Sequence, residues 1–168
     1  EQSPLRIWAS VQEAIAACLA QMPTVQILGI AISNQRESVT IWDADDGQPL
    51  GPVVSWQCRR SAPACAELIA GGHEPRVRAL TGLPIDPMFP GPKMKWLLDR
   101  APSGHRVRLG TIDAWLIHCL TGGAVHACDA ANAARSQLLD LGRMEWSDEL
   151  CALFGIPKAA LPELRDSD

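Results

Sequence analysis

Tyrosine is absent from this chain of 168 residues, and phenylalanine occurs only twice, so the aromatic content rests on six tryptophans. No apolar run approaches the ~20 residues that a membrane helix requires, and no leader-like segment is present. A cytoplasmic protein with no membrane partner is therefore expected. Runs of basic residues are missing too: Arg59-Arg60 is the longest, and the formal net charge is −4. A nucleic-acid partner normally meets a basic stripe, so none is expected. Cysteine occurs six times but never as C-x-x-C, which removes the common structural zinc spacing and leaves no metal ligands to name. Cys18, Cys65, Cys119 and Cys151 fall on apolar faces of expected helices, where free thiols behave as small hydrophobes. That usage implies a reducing compartment. An initiator methionine is also lacking, since the chain starts at Glu1, and this reads as a first sign of a piece of a longer protein.

Several chemical signatures are absent as well. There is no G-x-G-x-x-G and no G-x-x-x-x-G-K-[ST], the two common glycine-rich phosphate cradles. Neither G-x-S-x-G nor H-E-x-x-H occurs. The four histidines are scattered, and His118 shares a helix face with Trp115, which points to a structural role.

What is present is an α/β pattern in a length that suits one domain. Ser3-Pro4 reads as a helix start, followed by Ile7, Val11, Ile15, Cys18, Leu19 and Met22 at helical spacing, with Pro23 as the stop. The near-continuous apolar run 25–33 (VQILGIAIS) predicts a strand buried on both faces. Residues 38–43 and 52–56 predict two more strands, joined as a hairpin through Asp45-Asp46-Gly47. Ser61 can cap a helix closed by Gly71-Gly72. The stretch 82–92 (GLPIDPMFPGP) carries four prolines and is not expected to form regular structure. Helices are expected over 93–100, 111–121 and from Ser147 to Gly155, with a short strand at 125–128. Three strands are few for so many helices, and the run 25–33 lacks a neighbour on one side, a second sign that something is missing. Its unpaired edge would favour self-association or marginal stability of the isolated chain.

The densest polar cluster, Asn34, Gln35, Arg36 and Glu37, follows the first expected strand. Ligands in open α/β sheets bind past the carboxyl ends of strands, and an Arg beside a Glu offers donors and acceptors to a polyhydroxylated molecule. A solvated turn is the alternative. Trp56, after the third expected strand, could stack on the CH face of a sugar or sit in the core. Asp86 lies in the proline-rich loop, and long structured loops are often functional. Asp129, Asn132 and Arg135 could cap a helix or reach the same cleft.

Four motifs resemble those of one family. GIAISNQRESVTIWDADDGQPLGPVVSWQCRR (29–60), TGLPIDPMFPGPKMKWLLD (81–99), GTIDAWLIHCLTGG (110–123) and the stretch from Val125 to Arg165 are similar, in consistent order, to the glycerol-kinase-like FGGY carbohydrate kinases. The likeness covers nearly the whole chain. It implies a partial actin-like (ribonuclease H-like) α/β domain with a small mixed sheet, forming part of the N-terminal substrate domain. It implies phosphorylation of a polyol or sugar hydroxyl with ATP and Mg²⁺, a small-molecule partner, and a homo-oligomer at full length. Arg36, Glu37 and Trp56, with Gln35, match the residues that bind the polyol; Asp86, Asp129, Asn132 and Arg135 are further candidates.

The same resemblance places a D-x-G-T-[ST] phosphate loop before Glu1, and a base aspartate and nucleotide domain beyond Asp168, so the isolated chain is expected to be inactive and holds no catalytic residue. Two tyrosines of the family patterns are replaced. Ala130 stands in the D-Y-x-N-A-S-R motif, where the resemblance puts a glycerol-binding tyrosine, and Met88 with Pro90-Gly91-Pro92 replaces Tyr-Phe-Ser. The connection between Asp99 and Gly110 is also short. A longer polyol or a ketose could use the space at Ala130, so a pentulose or tetritol kinase, and a non-catalytic sugar-binding module, stand as rivals.

Overall fold

A computed structural model describes residues 1–22 and 24–167. The chain opens on helix α1 (Pro4–Gln21), whose Ser3 Oγ accepts a hydrogen bond from Arg6 N at 3.3 Å and whose first turn begins with proline. The expected stop at Pro23 lies outside the described residues. Only the first half of α1 is docked: Pro4 is buried and takes a 3.1 Å bond from Trp115 Nε1, and Ile7, Trp8 and Val11 pack against the core. Beyond them Leu19, Met22 and Cys18 are exposed. The buried-thiol expectation therefore fails for Cys18, because nothing among the described residues packs over that half of the helix. It holds for Cys65 and Cys151, while Cys119 is half-buried.

The predicted strand at 25–33 is not formed. Residues 24–33 carry no strand, and Val25, Ile27, Leu28 and Ile30 are exposed. β-branched residues favour a pleated conformation only where a neighbouring strand accepts their ladder and covers their faces; among the described residues this segment has none.

Sheet structure begins at β1 (Val39–Asp43), which pairs antiparallel with β2 (Val107–Thr111) from Val39↔Thr111 to Asp43↔Val107. The expected hairpin survives only as isolated bridges, Val39↔Val54 and Trp42↔Pro49. Prolines 49 and 52 have no N–H to donate, which keeps the ladder from extending. Strand β2 was not legible in the sequence, since Arg108 and Gly110 interrupt its apolar pattern.

Between the two strands run α2 (Ala62–Ala70), α3 (Glu74–Thr81) and α4 (Pro90–Leu98). Ser61 sits at the N-cap of α2 without making a side-chain cap bond, and α3 was not anticipated. Pro90 and Pro92 were expected to bar regular structure; instead they form the first turn of α4, where a missing N–H costs nothing. Helix α5 (Ile112–Leu120) follows β2 directly, then β3 (Ala127–Asp129), the single turn α6 (Ala130–Ala133), the hairpin β4 (Leu139–Asp140) and β5 (Glu145–Trp146), and α7 (Asp148–Phe154). Ser147 caps α7 and Gly155, at φ 66°, ends it as expected. A 3-10 turn (Lys158–Ala160) leads into β6 (Glu163–Arg165), parallel to β3.

The core lies on both faces of β1, whose five residues are all buried. Trp42 meets Trp115 edge-on at 5.4 Å, with His126 at 5.2 Å and His118 at 5.5 Å around it. Ile41, Leu109, Met94 and Leu97 fill the space toward α4. Packing of α4 beneath β1 is what sets the loops of the candidate site against one another.

Candidate functional site

Three loops meet over the start of α4. The 34–38 turn leads into β1, residues 55–57 follow the Val53-Val54 bridges, and residues 86–89 precede Pro90. Lys93, fully buried in α4, reaches all three: its Nζ donates to Glu37 O at 2.5 Å, to Met88 O at 2.5 Å and, at 3.5 Å, to Ser55 O. Burial pushes its ammonium down to about 8, against the opposing charges of Cys58, Glu37 and Asp86. Ser38, also buried, joins two of the loops: its Oγ donates to Gln35 Oε1 at 2.8 Å and accepts from Trp56 N at 3.2 Å.

On this base stand the candidate ligand groups. Glu37 accepts from Arg135 Nε at 2.8 Å, with side chains 16% and 29% exposed, so the pair is shielded yet reachable. Arg135 also lies 5.0 Å from the centroid of the Phe89 ring, which restrains the guanidinium from its second face. Trp56 is 43% exposed, so the core-tryptophan alternative is excluded and its ring is open to a ligand. Arg36 is exposed beside Glu37, with no hydrogen bond to the cluster among the described residues. Asp86 is half-buried and spends Oδ1 on Met88 N at 2.7 Å, shaping the loop that presents Met88.

The remaining candidates form an adjoining group. Asp129 Oδ1 accepts from Asn132 N at 2.7 Å and Asn132 Nδ2 at 2.8 Å, and its Oδ2 accepts from Ser167 Oγ at 2.8 Å. Partial burial would raise the Asp129 carboxyl, but these donors hold it below the usual carboxylate range. Asn132 Oδ1 in turn accepts from Asn34 Nδ2 at 3.0 Å, fastening the 34–37 turn to α6. Of the two readings left open for Asp129 and Asn132, the helix cap is formed, and the cleft they line holds none of Gln35, Arg36, Glu37, Trp56, Asp86 and Arg135. Together Asp129 and Asn132 border this cleft of ≈ 360 Å³ with Ile32, Asp113, Cys128 and Arg165. Asp113 is buried there, and desolvation raises its carboxyl.

The structure thus brings Gln35, Glu37, Trp56, Asp86 and Arg135 to one support and links Asn132 and Asp129 to it. Sequence reasoning missed Ser38 and Lys93. The signal for Lys93 was available: a lysine between Pro92 and Met94, in a helix whose other inward positions are apolar, needs buried partners for its ammonium.

This arrangement can grip a ligand rich in hydroxyls, with a carboxylate to accept, guanidinium groups to donate, and an indole face for carbon. Among the described residues no group of three or more His, Cys, Asp or Glu side chains is placed to hold a metal ion.

Residues 1–168 match the N-terminal domain of the FGGY family of carbohydrate kinases. The chain belongs to this family. A glycerol kinase of Symbiobacterium thermophilum is 45% identical over 170 residues, covering 96% of this chain and 34% of that protein. The FGGY chain therefore spans about a third of the length of the curated relatives it matches. Among solved structures, Plasmodium falciparum glycerol kinase with ADP superposes with a TM-score of 0.88 at 30% identity, covering 98% of this chain and 35% of that one. A xyloylose kinase from Brucella ovis gives 0.85, also at 30% identity, with coverage of 98% and 34%. The FGGY assignment carries the fold with it: the α/β architecture is the actin-like, ribonuclease H-like one, and the chain is glycerol-kinase-like. Among the described residues its small sheet is realised as three two-stranded pieces, two antiparallel and one parallel. Among the described residues no helix is long and apolar enough to cross a membrane.

Proposed function

We propose that the protein carrying this chain transfers a phosphoryl group from ATP to a hydroxyl of a small polyol or sugar, and that these residues supply part of its substrate site within the N-terminal domain. The observation that carries the reading is the shielded Glu37–Arg135 pair, set beside exposed Arg36 and half-exposed Trp56 on loops fastened through Lys93 and Ser38. Glu37 and Arg36 hydrogen-bond substrate hydroxyls, Trp56 covers the carbon chain, and Gln35 is held at the rim by Ser38. Asp86, Asp129, Asn132 and Arg135 shape and orient these groups rather than react.

ATP and Mg²⁺ enter this reading as reactants held elsewhere in the protein. The described residues offer no acidic or histidine cluster for a metal ion, and no glycine-rich cradle for a triphosphate occurs in the sequence. No chemical step is therefore assigned to them here. The full-length enzyme is proposed to be a cytoplasmic homo-oligomer.

Two positions bear on the substrate. Met88 and Ala130 stand where the family patterns carry tyrosines; Met88 belongs to the loop that Lys93 fastens, and Ala130 opens α6 beside Asn132. A pocket without phenolic hydroxyls loses discrimination for the smallest polyol, which favours a pentulose or a tetritol over glycerol as the runner-up reading. The test is ADP release by the full-length protein with Mg-ATP and glycerol, erythritol, xylulose and ribulose in parallel. Release with one of them is expected, and Arg36→Ala should raise its KM at least roughly tenfold, the loss of one charge-assisted hydrogen bond. No release, together with measurable binding of the same compounds, would instead establish a non-catalytic sugar-binding module.

A further inference from the structure

Lys93 is the most completely enclosed cation of the fold, at 0% exposure, and no carboxylate forms an ion pair with it among the described residues. An ammonium taken out of water is costly unless its donors are satisfied. Here the three N–H donors of the ammonium meet three main-chain carbonyls from three separate loops, at Glu37, Ser55 and Met88. A methionine or leucine would fill the same space without the charge, so the gain lies in the donors. Each loop gripped in this way also carries a candidate substrate group: Glu37 itself, Trp56 next to Ser55, and Met88 with Asp86.

We infer that Lys93 is the positioning residue of the substrate site, a latch whose three donors hold the 34–38, 55–57 and 86–89 loops at one point so that they close on the sugar together. The inference rests on the substrate-site reading above. It implies that affinity for the sugar, and not for the nucleotide, depends on this side chain. It also implies a pH limit. A neutral amine has two donors for three carbonyls and no charge to attract them. The titratable groups facing the ammonium are Glu37 from the first loop, Cys58 beyond the second and Asp86 from the third; the Glu37 carboxylate is already engaged by Arg135.

The test uses the full-length protein. KM for the sugar, KM for ATP and kcat are measured from pH 6.5 to 9.5 for wild type, K93R and K93M. In parallel, hydrogen exchange, corrected for its intrinsic pH dependence, is followed in peptides covering the three loops. For wild type the sugar KM should rise by up to roughly tenfold per pH unit above about 8, with ATP KM steady. K93R, which stays charged, should lack this alkaline limb. K93M should show a raised sugar KM at pH 7 with no further rise. A wild-type sugar KM that is flat to pH 9.5, an alkaline limb retained by K93R, or a folded K93M with unchanged sugar KM would each overturn the latch. If both variants fail to fold, the wild-type profile decides. If no sugar is bound or turned over, the substrate-site reading fails by itself and exchange judges the latch: the three loops must loosen together above pH 8 in wild type, and independent or unchanged exchange overturns it.

Discussion

Two basic side chains, Lys93 fully buried and His126 partly so, both make the fold more stable as pH rises, each in its own window. His126 donates Nε2–H to Leu109 O at 2.9 Å and meets Trp42 edge-on; burial pushes its imidazole from an ordinary 6.5 down to about 4. The unfolded chain therefore takes up a proton before the folded one does. The contribution of His126 to stability is complete above pH 6.5 and is lost as pH falls toward 4. Urea unfolding at pH 7 and pH 5 should show wild type losing on the order of 2 kcal/mol more between these values than His126→Gln, which keeps a donor for Leu109 but cannot titrate. An equal loss in both proteins would place the acid sensitivity elsewhere. Lys93 runs the same way at higher pH. Its folded value, about 8, lies below the ordinary 10.5, so the folded chain releases this proton first and the group's cost to stability shrinks as pH rises through that window. Alkaline pH should thus relax the site without this residue weakening the fold.

At the scale of elements, the β1–β2 pair depends on a glycine that makes no turn. Gly110 faces Thr40 in the ladder, and a Cβ there would meet Ala114 Cβ at 2.7 Å and Trp42 Cη2 at 2.9 Å. The missing side chain is what lets the indole and the first turn of α5 close over the strand. Gly110→Ala should destabilise by about 1–3 kcal/mol, as overpacking does, and lower the urea midpoint without changing the slope. A midpoint within error of wild type would mean that the indole relocates freely.

The elements that could be read in advance were those with local signals. Ser147 and Gly155 bracket α7, Ser3-Pro4 opens α1, and Thr111 and Gly122 bracket α5. Strands fared worse because their partners lie far away. The run 25–33 had the right composition and no strand to join, whereas 107–111 had a broken pattern and formed a ladder with β1. At the site, Gln35 and Glu37 were singled out as following a strand at 25–33 that does not form, and Trp56 as following one that survives only as bridges; the structure joins the three through Ser38 and Lys93 instead. The burial of Lys93 could be read from its helix, but the joining of loops 56 and 18 residues away, by Lys93 and by Ser38, could not.

For the molecule as a whole, the uncovered segment dominates behaviour in solution. Leu28 is 91% exposed, with Val25, Ile27 and Ile30 about half exposed beside it, an apolar stretch of the kind soluble monomers rarely show. The isolated chain should therefore self-associate, with a weight-average mass in sedimentation equilibrium that rises with concentration, and Leu28→Lys with Ile30→Lys should suppress that rise. A monodisperse monomer with a sharp, high melting transition would contradict it. The site carries a different consequence. Because Lys93 takes hold of carbonyl oxygens and never of side chains, its grip is indifferent to which residues those loops display. Glu37, Ser55 or Met88 can be exchanged and the loops still share one anchor. A scaffold built this way can change what it recognises while keeping the means by which it closes.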